Sequence, residues 1–98
     1  MPFSLRFTDV AKQDIAELKS TPHLAKRLKS VRKALGYLET NPRHPSLNTH
    51  KYSSLVGANK EEVFEAYAEN NTPAAYRIFW HYGPGKNAIT IIAITAHP

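Results

Sequence analysis

The stretch "AAYRIFWHYGPGKNAITIIAITA", Ala74 to Ala96, decides the fold. Two runs rich in aromatic and β-branched residues flank "GPGKN", whose glycines, proline and asparagine are turn formers. The pair therefore reads as two antiparallel strands joined by a hairpin turn. A phosphate-loop reading of "GPGKN" fails, because the required spacing and the following helix are both missing. A strand sends alternate side chains to opposite faces. Tyr76, Ile78 and Trp80 then share one face, and Arg77, Phe79 and His81 share the other. An arginine in the middle of so apolar a strand calls for an explanation.

Upstream, "EEVFEAYAE", Glu61 to Glu69, reads as another strand, set off by the turn "NNTP". Before it, "TNPRHPSLN", with two prolines and two asparagines, ends a helix and makes an irregular connection. In that helix Leu24, Leu28, Val31, Leu35 and Leu38 step by four and three, the spacing of one buried stripe. Thr21 is its expected cap, with Pro22 in the first turn. The other face carries Lys26, Arg27, Lys29 and Lys33. Further upstream, Ala11, Ile15 and Leu18 mark a shorter helix capped by Thr8 or Asp9. Phe3, Leu5 and Phe7 alternate as in a half-buried strand. A chain of 98 residues holds one core, so a single domain over residues 1–98 is expected. The element order implies an α+β fold: an N-terminal strand, then two helices packed on one face of a twisted, mainly antiparallel sheet. The leucine stripe should pack against the face carrying Tyr76, Ile78 and Trp80.

That architecture leaves the second face of the sheet half open. Arg77 stands on it, and two readings remain. The guanidinium can project into a groove and grip a phosphate with its planar fork of donors. Alternatively, it can pair across the strands with Glu65 or Glu69. Tyr67 alternates with both glutamates and so flanks the same place. Tyr67, Phe79 and Trp80 are able to stack unpaired bases, although the position of Trp80 suits the core. His81 and Tyr82, at the strand end, suit either a packing role or the lining of that groove.

Lys and Arg number 13 against 8 Asp and Glu, for a net charge of +5. From Lys19 to Lys33 there are six basic residues and no acidic one, which suits either a polyanionic partner or a solvated helix face. There is no cysteine, which excludes disulfides, thiolate metal sites and thiol nucleophiles. His44, His50, His81 and His97 lack the spacing of a zinc site, so neither a metal nor another cofactor is expected. The longest apolar run is too short to span a bilayer, and no secretory leader pattern opens the chain. A soluble cytoplasmic protein with no membrane partner is expected.

The stretches "NPRHPSLNTHKY", "EVFEAYAENNTPAAYRIFW" and "ITIIAITAHP", together with "FSLRFTDVAKQDIAELKS", resemble the RelE/ParE superfamily of bacterial toxins from type II toxin-antitoxin operons. The resemblance implies a RelE-like fold, a small acidic antitoxin as partner and inhibition of translation. It implies one of two activities: metal-independent endoribonuclease cleavage of mRNA on the ribosome, or ParE-like, non-enzymatic inhibition of DNA gyrase. An inactive, toxin-like binding protein is a further alternative. RNA cleavage without a metal needs a base, an acid and a cation. By resemblance Arg77 is the cation that stabilises the phosphate, His97 the acid or base, and Lys51 a backbone contact or further cation. Lys26, Arg27, Lys29, Lys33, Tyr67 and His50 are the expected substrate contacts. One nuclease branch uses a glutamate in the loop after the second helix, yet nothing acidic lies between Glu39 and Glu61. His44, His50 and His97 are therefore the candidate bases. If their segment is extended, His50 and Lys51 point to opposite sides, and the resemblance favours Lys51.

Overall fold

The computed structural model describes residues 2–96. A hairpin lies at the heart of the sheet: β4 (Tyr76–Tyr82) and β5 (Ala88–Ala96) pair antiparallel across the 83–87 turn. Gly83 and Gly85 take positive φ there, a conformation that side chains with a Cβ disfavour. Along the hairpin Arg77 faces Thr95 and Phe79 faces Ala93, but Trp80 faces Ile91. Ile92 is thus an extra residue in a bulge, a device that sharpens the local twist.

Around this pair lie β1 (Ser4–Phe7), β2 (His50–Val56) and β3 (Glu62–Tyr67), in the order β1-β5-β4-β3-β2. Only β1 runs parallel to its neighbour, β5; the other pairings are antiparallel. Such a parallel step needs a long crossover, and α1 (Asp9–Ser20), α2 (Ala25–Thr40), β2, β3 and β4 all lie within it. The Thr8 side chain accepts the Ala11 N–H at 3.1 Å and donates to the Ile92 carbonyl at 2.7 Å. It therefore caps α1 and fastens the helix start to the bulge. Asp14 accepts the Ile94 N–H at 2.9 Å just beyond it. Thr21 does not cap α2; its hydroxyl donates back to the Glu17 carbonyl, and a short 3₁₀ turn, Pro22–Leu24, precedes that helix.

The leucine stripe does face the sheet, centred on Val31, Ala34 and Leu38, with Leu24, Leu28 and Leu35 half-buried at its margins. It packs with Ile78, Trp80, Ile89, Ile91 and Ile94, and Tyr76 joins from the edge. Leu47, on the 3₁₀ turn Pro45–Leu47, plugs the end of this core. Among the described residues no helix is long and apolar enough to cross a membrane.

Two features differ from expectation. The segment after that 3₁₀ turn is a strand, β2, which forms the edge beside β3. The second sheet face is not open either: Glu65, Phe79 and His81 are all buried on it. Edge strand β2 brings the Tyr52 ring to 4.8 Å from Phe79, two strands away, and so covers part of this second face.

Candidate functional site

Strand register assembles a row of charge on that second face. His50 lies opposite Glu65, and Tyr67 opposite Arg77, so three neighbouring strands deliver side chains to one place. His50 Nε2 is 2.7 Å from Glu65 Oε1, and Arg77 Nε is 3.9 Å from Glu65 Oε2. Glu65 is 1% exposed, so its charge must be met by neighbours rather than by water. The tight register of these strands places a cation source on each side of it.

Arg77 is held from several directions. Its guanidinium lies 3.7 Å above the Tyr67 ring, a cation–π contact, and Nη1 donates to the Glu69 carbonyl at 2.7 Å. The side chain is 11% exposed, and Nε, buried, has no hydrogen-bond partner among the described residues. Of the two partners considered for it, Glu65 is reached as a long ion pair, whereas Glu69 is met through its backbone. The Glu69 carboxylate instead accepts from Arg27 Nε at 2.8 Å and from the Tyr76 N–H at 3.0 Å. Arg27 accordingly leaves the solvated face expected for it: it lies over the Tyr76 ring and ties α2 to the β3–β4 connection. Lys26, Lys29 and Lys33 do face solvent.

His50 is the accessible member of the row, with 47% of its side chain exposed. Nδ1 lies 2.9 Å from the Asn48 carbonyl, so each ring nitrogen faces an oxygen acceptor and a doubly protonated ring donates at both. Lys51 points to the opposite face, as an extended segment requires, and pairs with Glu62 at 2.8 Å. The hydrogen bond and charge of Glu62 hold the Lys51 pKa above the ordinary lysine value. Lys51 thus stays an ammonium, able to bind phosphate but not to accept a proton near neutrality.

His44 stacks on Tyr37, ring centres 3.9 Å apart, and its Nδ1 accepts the Ser46 N–H. His81 is buried, with Nδ1 at 2.8 Å from the Tyr82 carbonyl. His97 lies outside the described residues. Among those described, no group of three or more His, Asp or Glu side chains is placed to hold a metal. Glu65 was legible only as a possible partner of Arg77; its contact with His50 depends on the register of β2, a strand whose pattern gave no signal.

No protein-family model matches the chain, and no curated protein matches it in sequence. Solved structures do match in shape over nearly its full length. A YoeB/ParE toxin from Agrobacterium tumefaciens superposes with a TM-score of 0.73 at 10% identity, covering 98% of this chain and 100% of that one. The archaeal RelE–RelB complex from Pyrococcus horikoshii gives 0.65 at 16% identity, over 98% and 96%. The toxin-antitoxin complex RelBE2 from Mycobacterium tuberculosis gives 0.60 at 22% identity, over 99% and 100%. The chain has the RelE/ParE-like toxin fold.

Proposed function

We propose that this protein is the toxin of a type II toxin-antitoxin pair, acting in the cytoplasm as a metal-independent endoribonuclease on ribosome-bound mRNA. The observation that carries the reading is the His50–Glu65–Arg77 row: an accessible imidazole oriented by a buried carboxylate, which a guanidinium steadies from behind. The arrangement follows a general logic, in which a proton-transfer group is aimed by a second group and stabilised when it becomes charged. Glu65 occupies Nε2, so Nδ1 is the nitrogen that turns from the Asn48 carbonyl to the substrate.

In the reaction the ribose 2′-OH loses its proton and attacks the adjacent phosphorus, while the P–O5′ bond breaks. The products are a 2′,3′-cyclic phosphate and a 5′-hydroxyl. Protonated His50 gives its Nδ1 proton to the departing 5′-oxygen, and Glu65 stabilises the cation beforehand. His97 is retained from the resemblance as the partner that takes the 2′-OH proton. Arg77 supplies positive potential at the phosphate and fixes Tyr67, which flanks the strand. Lys51, Lys26, Lys29 and Lys33 are phosphate contacts, from the edge and from α2. A small acidic antitoxin is the expected partner, supported by the complexes in which two of the structural neighbours were solved.

The test is cleavage of a defined mRNA on purified ribosomes, with the ends identified. Cyclic phosphate and 5′-hydroxyl ends are expected, and His50→Gln should slow cleavage by about 10²-fold or more without releasing the ribosome. The burial of Arg77 favours one rival, a ParE-like gyrase inhibitor or inactive binder in which the row is only structural. Growth inhibition with intact mRNA and unchanged toxicity of His50→Gln would establish that rival.

A further inference from the structure

On the helix-bearing side of the sheet, between the 42–50 segment and the end of the hairpin, lies a cleft of about 520 Å³. We propose that it is a second nucleotide subsite, which takes one unpaired base and its phosphate from an RNA strand at a distance from the cleavage row. The inference rests on the RNA-cleaving reading above and adds a place where the strand is held.

The floor is aromatic. Phe64 and Trp80 are stacked with ring centres 5.0 Å apart, and Tyr82 stands edge-on to Trp80 at 4.9 Å. Tyr82 is 43% exposed, an unusual state for a large ring whose neighbours are core, and it offers a stacking surface to solvent. The walls carry Arg43 and Lys51, the latter ion-paired with Glu62, and among the described residues no carboxylate lines the cleft. A planar, anionic ligand fits this combination, with the base on the rings and the phosphate on the guanidinium.

A second observation points to a ligand. Trp80 is 1% exposed, lines the cleft, and its indole N–H has no acceptor among the described residues. A buried indole N–H ordinarily finds a partner. Nucleobases carry carbonyl and ring-nitrogen acceptors, the type of group missing here, and the indole nitrogen, itself without exposed surface, meets one only when the cleft opens around the base. Continuity with the cleavage row comes from His50, which lines the cleft and also pairs with Glu65. A strand passing over edge strand β2 meets both.

Trp80 is the only tryptophan, so intrinsic fluorescence reports this cleft selectively. The full chain is titrated with 2′-O-methyl octa-adenylate, which cannot be cleaved, and with 5′-AMP. A saturable change in Trp80 emission is expected with the oligonucleotide. Tyr82→Ala and Arg43→Ala should each weaken it by about ten-fold, the latter also lowering the salt slope by about one. Oligonucleotide binding seen by anisotropy with no change at Trp80, no binding at all, or full affinity in Arg43→Ala would overturn the subsite. Equal affinity for 5′-AMP would overturn the RNA strand as its occupant. Cleavage without a Trp80 response counts against the subsite alone; a Trp80 response without cleavage counts against the proposed activity and leaves the subsite standing.

Discussion

Arg77 is an interior residue with a polar task. Stacking on Tyr67, the bond to the Glu69 carbonyl and the ion pair with Glu65 all end with Arg77→Ala, which should lose about 2 kcal/mol in denaturant unfolding. Arg77→Lys should recover little of that, because an ammonium lacks the flat fork that stacks and bonds at once. An unchanged midpoint for Arg77→Ala would mean that these contacts do not hold in solution. Alternation along β4 was enough to place Arg77 on the face away from the helices. The choice between phosphate and carboxylate was not legible, since it turns on the approach of Tyr67 and Glu65 from β3 and of His50 from β2. Lys51 illustrates the same limit: its resemblance to family contacts spoke for it, whereas strand alternation sends its ammonium to the other side and His50 into the row.

At the scale of elements, α2 was read from its spacing alone, and the leucine period found the buried face. Leu38→Ala should cost about 2–5 kcal/mol as a core truncation, and Leu28→Ala, half-buried, clearly less in the same unfolding measurement. The basic face divides. Neutralising Lys26, Lys29 and Lys33 should leave stability within about 0.5 kcal/mol and weaken ribosome binding with a shallower salt dependence. Arg27→Ala should instead lose about 1–2 kcal/mol, through its pairing with Glu69. Helix periodicity alone does not separate these four, because Arg27 is drawn inward by a glutamate on a loop 42 residues away. Strand β2 escaped notice for a related reason. In "HKYSSLV" only Tyr52 turns inward, so an edge strand exposed on most of its length shows no alternation to read.

For the whole molecule, the order of elements was sufficient for an α+β layer structure, because strands grouped after two helices leave few arrangements. The parallel pairing of β1 with β5 and the covered second face were not available from order, as both depend on where the edge strands β1 and β2 pair. The register of β2, β3 and β4 on that face is what brings three separate residues into one row, and the activity proposed for the fold depends on it. The most direct measurement is genome-wide mapping of 5′-hydroxyl RNA ends shortly after induction of the wild-type chain and of His50→Gln, with growth followed in parallel. The wild type should give new 5′-hydroxyl ends within translated reading frames and arrested growth, and a folded His50→Gln chain neither. Arrest by both chains with no new RNA ends would contradict the proposed activity.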